Sequence, residues 1–276
     1  MYTLAYIKKS LIPTHVSSFK IKGSSFNNFK VVPNGVCSIR FGDGNSQEIT
    51  TETTLNHTYS ANDEYTIEIW GDHKTFQAPI NTIEVTMLSD TINTCASMFR
   101  DCSELTSFSA KIPRKCTDCS NMFNNCLMLQ YIVSVAIPIS VSSCKNMFSW
   151  CNSLQNLPED LTILNDGCDC SGMFHRCEIL KTIPAKFKIP TRSSSYYAMF
   201  RECFYLTDDI NKLLPDEFNY DGTIDLSFMF SDSTGITGTA PADKLWNSGK
   251  IFKTSGCFYN CASLSNYNSI PFDWMS

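Results

Sequence analysis

Apolar and polar residues alternate along three short stretches near the start of the chain. These stretches cover residues 19–21, 37–41 and 65–69. Alternation with a period of two places one face of a strand in a core and the other in water, so each stretch predicts a half-buried β-strand. The segment Gly42-Asp43-Gly44-Asn45-Ser46 supplies residues that tolerate positive φ and indicates a hairpin turn. Together these signals predict a small antiparallel β-sandwich.

A different pattern, C-x-x-M-F-x-x-C-x-x-L, recurs through the rest of the chain. Its Met-Phe pair, or the pair that replaces it, begins at Met98, Met122, Met147, Met173, Met199, Met229 and Cys257. Successive copies are 24, 25, 26, 26, 30 and 28 residues apart. The fifth copy has Tyr196 in place of the first Cys, and the sixth has Ser233 and Ile236 at the later positions. Self-similarity at this period is the signature of stacked repeats.

Within each copy the apolar positions have the spacing of one helix face. In the first copy they are Cys95, Met98, Phe99, Cys102 and Leu105, which predicts a helix of two to three turns. The residue before the stripe carries an oxygen suited to capping a helix N-terminus in the first six copies: Thr94, Asp118, Ser143, Asp169, Ser195 and Asp225. A second short apolar signal follows, often closed by Pro, and predicts a strand and a turn.

Composition and charge exclude several classes of protein. The chain has 22 Lys and Arg against 27 Asp and Glu, a net charge of −5, which argues against a nucleic-acid-binding protein. Hydrophobic residues make up 43% of the chain, enough to bury a core. No apolar run reaches the ~20 residues of a membrane span. Lys8 and Lys9 follow the first apolar residues, an order that does not predict a secretory signal peptide.

The chain contains 14 cysteines, most of them at repeat positions. Buried free Cys behaves as a small hydrophobic residue, so we expect these thiols to fill a stacked core. The alternative is a metal site, since Cys116, Cys168 and His175 lie outside the repeat pattern at spacings typical of ligands. No paired C-x-x-C knuckle is present, so we predict no metal and no cofactor. Metal binding and disulfide formation by these thiols remain open alternatives.

No catalytic motif is recognisable in the sequence. The patterns of serine hydrolases, P-loop proteins, zinc proteases and dinucleotide-binding enzymes are all absent. The pairs Asp208-Asp209 and Asp216-Glu217 could act as acid and base, but an acidic surface loop is the expected role. Asp43 is expected to form a turn and not to bind calcium, which needs six to eight oxygens. We predict that the chain is not an enzyme.

Three segments in order resemble PKD domains. They are Gly42-Asp43-Gly44, His57-Thr58-Tyr59 and Tyr65-Thr66-Ile67-Glu68-Ile69, and the resemblance covers about 55 residues. Phe41 stands where Trp is common, a minor departure. The resemblance implies an immunoglobulin-like fold and a role as spacer or adhesion module.

The repeat half resembles BspA-like leucine-rich-repeat surface proteins with M-F-x-x-C-x-x-L repeats. The resemblance runs from about residue 90 to 270 and rests on six Met-Phe pairs, five of them followed by Cys at the fourth position after Met. The pattern L-x-x-L-x-L-x-x-N-x-L of other leucine-rich repeats is absent. The resemblance implies adhesion or partner binding and supplies no binding residues.

These observations predict a multi-domain chain. Residues 1–16 are expected to be a docking or anchor segment, and 17–76 a small all-β, PKD-like and immunoglobulin-like sandwich. Residues 77–276 are expected to form an α/β leucine-rich-repeat-type solenoid of about seven helix–strand repeats of 24–30 residues, with an atypical C-terminal cap.

The predicted function is non-enzymatic recognition or adhesion through a face of the repeats. The favoured setting is a phage virion, as a tail or capsid appendage that contacts the bacterial host surface; a bacterial cell-surface adhesin and a purely structural decoration protein are the alternatives. Partners are a protein or glycan on a cell surface and, through the N-terminal segment, other virion proteins; self-association into a homo-oligomer is open. Candidate binding residues, chosen because inserted loops often carry contacts, are Tyr205, Phe218, Tyr220 and Trp246.

Overall fold

The computed structural model of the chain describes residues 15–23 and 25–276. The predicted docking segment, 1–16, falls outside these residues except at its last two positions, so its role stays a prediction. In the described ranges the regular structure is almost entirely β, with fourteen strands and three 3-10 helices of three residues each. The 3-10 helices span Ile210–Lys212, Tyr267–Ser269 and Phe272–Trp274.

The first eight strands form two sheets that enclose a common core. They are β1 Val16–Lys22, β2 Ser25–Pro33, β3 Cys37–Arg40, β4 Ser46–Ile49, β5 Thr53–Thr58, β6 Glu64–Trp70, β7 His73–Gln77 and β8 Thr82–Met87. The smaller sheet has the order β5-β2-β7, and the larger one contains β8-β1-β6-β3-β4. The sheets pack face to face, since Phe19 of β1 lies 5.5 Å from Phe29 of β2 and 5.4 Å from Phe76 of β7. The three alternating stretches thus fall in strands β1, β3 and β6.

A glycine turn joins β3 to β4, as the sequence predicts. Gly42 has φ of +84°, and a Cβ there would lie 2.6 Å from the carbonyl oxygen of Thr66. Both the left-handed backbone and the close approach therefore require glycine. Asp43 accepts a hydrogen bond from the backbone N–H of Asn45 at 3.0 Å, and its carboxylate lies 2.7 Å from Nε2 of His57.

The larger sheet continues into the repeats. Strand β8 pairs antiparallel with β1 and parallel with β9, Ser107–Phe108, which pairs in turn with β10, Tyr131–Ile132. The full order is therefore β10-β9-β8-β1-β6-β3-β4. The sheet runs across the predicted boundary at residue 76, and the cores are continuous across it as well, with Phe76 lying 5.7 Å from Phe99.

The prediction of a helix in each copy is wrong. The residues of the first stripe form three consecutive turns, closed by hydrogen bonds from Met98 N–H to Cys95 C=O, Cys102 N–H to Phe99 C=O, and Leu105 N–H to Cys102 C=O, at 3.0–3.2 Å. These bonds join residues three apart, whereas an α-helix joins residues four apart. Consecutive turns place i, i+3, i+4 and i+7 on one side of the chain as a helix does, which explains why the spacing misled.

The backbone conformation separates these turns from a helix. The third residue of the first two turns is left-handed in every copy, with φ between +50° and +65°: Ser97, Asp101, Asn121, Asn125, Asn146, Trp150, Gly172, Arg176, Ala198, Glu202, Phe228, Asp232, Gly256 and Asn260. This is the geometry of a type II turn. The N–H groups that a helix would use internally are donated to the following copy, as from Phe99 to the carbonyl of Met122 at 2.9 Å. The stacked turns form what we call the turn ridge.

The predicted cap residues do make the expected kind of hydrogen bond, but they cap turns. Asp118 accepts from the N–H of Ser120 at 2.7 Å, and Asp169 accepts from that of Ser171 at 2.9 Å. Thr94, Ser143, Ser195 and Asp225 accept in the same way from the residue two positions later. These are Asx and Ser/Thr turns, which use the same side chains as helix caps.

The remaining strands are short parallel pairs between neighbouring copies. Strand β11, Ala136–Ile137, pairs with β12, Thr162–Ile163, and β13, Ile224–Asp225, pairs with β14, Phe252–Lys253. The predicted α/β helix–strand fold is therefore corrected to stacked copies of turns and short strands. No helix longer than three residues occurs in residues 15–23 and 25–276.

A column of phenylalanines forms the centre of the array. The rings of Phe99, Phe123, Phe148, Phe174, Phe200, Phe230 and Phe258 stack with centroids 5.4–5.9 Å apart and planes within 11° of parallel. Trp274 stacks on the last of them at 6.0 Å. Each ring is fully buried, so the column combines apolar burial with offset ring stacking.

Candidate functional site

The four residues proposed from the sequence do not form one surface. Tyr205 and Tyr220 are exposed, at 64% and 38%. Phe218 is only 5% exposed and packs edge-on against Tyr196 and Phe252, at 5.7 and 5.1 Å. Phe218 is therefore a core residue with little surface to offer a partner.

Trp246 is half-buried near the end of the array. Its ring packs edge-on against Trp274 at 5.6 Å, beside a shallow cleft that Lys250 and Asp273 also line. Among the described residues no ring contact joins Trp246 to the other three candidates. The loop insertions thus supply dispersed aromatic residues, two of them packed into the fold.

A groove of about 540 Å³ lies instead across the first three copies. It is lined by Lys111, Ile112, Arg114, Ser134, Ala136, Pro138, Ile139 and Leu164. The segment 111–114 comes from the first copy, 134–139 surrounds β11 in the second, and Leu164 follows β12 in the third. Its volume lies within the range of small-molecule and peptide sites, and its walls are mainly aliphatic.

The rim of the groove is cationic. Lys111 and Arg114 are exposed, and in the described part of the chain no carboxylate lies within 4 Å of either charged group. Asp160 accepts a hydrogen bond from the hydroxyl of Ser134 at 2.5 Å, so one acid stands nearby. Two cations without protein partners, on a chain of net charge −5, make this rim suited to a negatively charged group.

Apolar side chains extend the surface around the groove. Ile139 and Leu164 are 71% and 57% exposed, and Tyr131 and Val133, just before the second-copy lining segment, are 65% and 69% exposed. Single exposed apolar residues are common, but here four of them lie beside one groove and leave apolar area open to solvent. The sequence contained a signal for this groove that the motif search missed, namely three cations in the five residues 111–115.

His175, considered as a metal ligand, lies beside a buried carboxylate, and its Nε2 makes no hydrogen bond within the described part of the chain. Glu202 is 9% exposed and lies 2.5 Å from Nε of Arg176, 3.3 Å from Nε of Arg201 and 3.7 Å from Nε2 of His175. Arg176 also covers the ring of Trp150 at 4.1 Å. Burial lowers the pKa of His175, which keeps its imidazole neutral. The cluster places two arginines and one carboxylate on the turn ridge, and it does not include Cys168.

The carboxylate pairs considered for catalysis have partners within the protein. Asp208 accepts from the N–H of Ile183 and from Nζ of Lys212, both at 2.6 Å. Asp209 caps the 3-10 turn by accepting from Asn211 N–H at 2.9 Å. Asp216 lies 3.4 Å from Nζ of Lys188. Glu217 accepts from Nδ2 of Asn219 at 2.7 Å, so each of the four acids has a partner within the protein. The absence of enzymatic activity stays a prediction.

Comparison with known proteins identifies one family. Residues 64–162, 93–213 and 168–274 each match the family described as Mycoplasma protein of unknown function, DUF285. The three overlapping matches run from β6 to the last 3-10 helix and so cover all seven copies. No curated protein and no solved structure matches the chain. The resemblances to PKD domains and leucine-rich repeats gain no support from these matches.

Within the described residues, no helix is long and apolar enough to cross a bilayer.

Proposed function

Since the chain belongs to the DUF285 family, whose repeats we take to be of the BspA-like surface type, we propose that it is a non-enzymatic surface recognition protein. The observation that carries the proposal is the groove across the first three copies. It combines aliphatic walls with the unpaired cations Lys111 and Arg114, and it is built on a regular stack of turns and strands. Binding residues held by a regular scaffold are typical of recognition proteins.

The groove favours a protein partner over a glycan. None of its lining residues is aromatic, and most offer no side-chain hydrogen-bond group. Protein interfaces combine an apolar centre with a polar or charged rim, which is the arrangement here. We therefore propose that the partner presents an acidic segment with a bulky apolar side chain that fills the groove between Ile112 and Ile139.

The location of the protein in the cell or virion is a separate part of the proposal. The family description names Mycoplasma, which favours a bacterial source. A cell-surface location is proposed from the resemblance of the repeats to BspA-like surface proteins. A phage virion, the location favoured by the sequence analysis, is the alternative. Mass spectrometry of purified cell envelopes and of phage particles distinguishes the two, because the chain should be enriched in only one of these fractions.

Binding of the purified, fluorescently labelled chain to mycoplasma cells and to cultured mammalian cells tests the proposed function. The test variant carries Lys111→Glu and Arg114→Glu, and the matched control carries Lys145→Glu and Lys186→Glu, which change the charge equally at exposed lysines outside the groove. We expect saturable binding to one cell type, weakened about tenfold or more in the test variant only.

Pretreatment of the cells identifies the chemistry of the partner. Trypsin should abolish binding if the partner is a protein, whereas periodate oxidation should abolish it if the partner is a glycan. Loss with periodate alone, equal loss in both charge variants, or no saturable binding to either cell type by the folded chain contradicts the proposal.

A further inference from the structure

Three cysteine side chains meet in the core of the first two copies. Cys95 and Cys119 occupy the same repeat position in successive copies, and Cys116 precedes Cys119 by three residues. The three sulfur atoms all lie within 4.8 Å of one another, and those of Cys116 and Cys119 are 3.7 Å apart. All three side chains are fully buried. In residues 15–23 and 25–276 this is the one group of three or more potential metal ligands that converge so closely.

Packing accounts for two of these thiols but not for the third. Cys95 and Cys119 belong to the repeat pattern, in which Cys fills a small apolar space. In three other copies the position of Cys116 holds Ile92, Val141 and Ser193, all buried. The core therefore accepts several side chains there, and nothing in the packing requires a sulfur atom.

The spacing of the sulfurs suits a single metal ion. A metal–sulfur bond of about 2.3 Å places tetrahedral sulfur ligands about 3.8 Å apart and trigonal ones about 4.0 Å apart. The observed separations of 3.7 Å and up to 4.8 Å lie at or slightly above these values, so small side-chain rotations close the site. Thiolates are soft ligands that select Zn²⁺ and Cu⁺ over harder ions.

The thiols lie close to one another and to the backbone. The sulfurs of Cys116 and Cys119 are within hydrogen-bonding distance, and the thiol of Cys116 also donates to the carbonyl oxygen of Asp118 at 3.3 Å. Metals bind cysteine as the thiolate, so each of the three ligands loses its proton when the ion enters.

We propose that Cys95, Cys116 and Cys119 bind one thiophilic metal ion, Zn²⁺ or Cu⁺, as three thiolates in a site closed to solvent. The ion forms three metal–sulfur bonds, and the protons still held by the thiols pass to solvent. With Zn²⁺ the centre carries a net charge of −1, and with Cu⁺ a charge of −2, which costs more in an apolar core. Coordination by three ligands, on the other hand, suits Cu⁺.

Metal binding to the full chain, reduced and freed of metal, tests the site. Zn²⁺ is titrated in competition with a chromophoric chelator, Cu⁺ is titrated separately without oxygen, and bound metal is counted by mass spectrometry after desalting. We expect one ion per chain with a Kd below about 1 µM for one of the two ions. The bound ion should also raise the urea midpoint of unfolding, because it binds only the folded state.

Two variants locate the site. Cys116→Val introduces the residue of the third copy. Cys116→Ser keeps the size of the side chain, so that a loss of metal cannot be ascribed to altered packing. Both variants should weaken metal binding about tenfold or more while keeping the native circular dichroism spectrum. Cys168→Ser, which removes the other cysteine of the repeat region that lies off the main pattern, should leave the ion in place. Retention of metal by both Cys116 variants, equal loss in Cys168→Ser, or no tight binding of either ion overturns the proposal.

Discussion

The thiol of Cys151 donates a hydrogen bond to the backbone carbonyl oxygen of Phe123, 3.2 Å away and one copy earlier in the chain. Cys126, Cys177, Cys203 and Cys261 make the same bond to the phenylalanine of the preceding copy, at 3.0–3.1 Å. In the sixth copy Ser233 replaces cysteine and donates to the carbonyl of Phe200. The position therefore requires a small buried side chain with one donor, which explains why cysteine recurs and why serine replaces it.

We expect Cys151→Ser to lower the free energy of unfolding by about 1 kcal/mol, because serine keeps the donor and loses some apolar burial. Cys151→Val loses this donor and adds volume to a closed space, so it should cost about 1–3 kcal/mol more than serine. Urea unfolding of the three proteins measures both differences. Equal stability of the serine and valine variants would show that the hydrogen bond and the small volume do not matter.

The phenylalanine column predicts a large and localised energetic effect. Phe148 is the third of its seven rings, stacked on Phe123 and Phe174 at 5.4 and 5.8 Å and fully buried. Phe148→Ala should destabilise the fold by about 3–5 kcal/mol, through lost burial and the cavity left behind. Phe272→Ala, at a residue that is 82% exposed, is the control and should change stability by less than about 0.5 kcal/mol. A cost below about 1 kcal/mol for Phe148→Ala contradicts the continuous core.

The left-handed turn residues predict a stabilising substitution. Ala198 has φ of +50°, and the corresponding residue is Gly172 in the preceding copy. Left-handed alanine is strained, so Ala198→Gly should raise the free energy of unfolding by about 0.5–1 kcal/mol, despite the greater freedom of glycine in the unfolded chain. Ala185, exposed and with negative φ, is the matched control: Ala185→Gly should lower stability by a similar amount. Destabilisation by both substitutions contradicts the assigned backbone conformation.

The pair of Asp43 and His57 predicts a dependence on pH. Burial by itself raises the pKa of Asp43, but hydrogen bonds from His57 and Asn45 outweigh it and bring the pKa down to about 2. A carboxylate with a pKa below its unfolded value of about 3.9 stabilises the fold above that pH, and the stabilisation disappears as the pH falls through the folded value. The chain should therefore lose this contribution between about pH 4 and pH 2.

Asp43→Asn isolates the effect, since it removes the ionisable group and retains a turn-forming side chain. Urea unfolding at several pH values should show lower stability of the variant at pH 6 and a shallower fall below pH 4. Asp221→Asn, at an exposed residue outside any ion pair of the described chain, should follow the original protein. Parallel pH curves for Asp43→Asn and the original protein contradict the prediction.

The sequence predicted which positions of each repeat are buried but not the backbone conformation of the repeat. Every Met-Phe pair, the spacing of the copies and the burial of Cys102 and Leu105 follow from the pattern alone. The helix does not, because one apolar stripe fits both a helix and consecutive turns. Asn121, Asn125 and Asn146 held the missing signal: asparagine tolerates the left-handed region and is a poor residue for a helix interior.

The groove was less predictable than the fold. Its lining comes from three copies, so its residues lie up to 53 positions apart, and no local motif connects Lys111 with Leu164. The search for aromatic residues in inserted loops instead selected Phe218 and Trp246, which pack against neighbouring copies. Loop insertions identify where the repeat is irregular, but only the stacking shows which side chains remain available to a partner.

The turn ridge carries a net dipole along its length. Its N–H groups point from each copy toward the next, so the peptide dipoles add along the array as they do in an α-helix. Both ends of this dipole are met by residues outside the ridge: Ala78 donates to the carbonyl of Met98 at 2.8 Å, and the carbonyls of Trp274 and Ser276 accept from Phe258 and Gly256 at 2.9 and 2.7 Å. The array is thereby polarised from one end to the other, with one carbonyl group of its first copy and two N–H groups of its last copy already bonded within the chain.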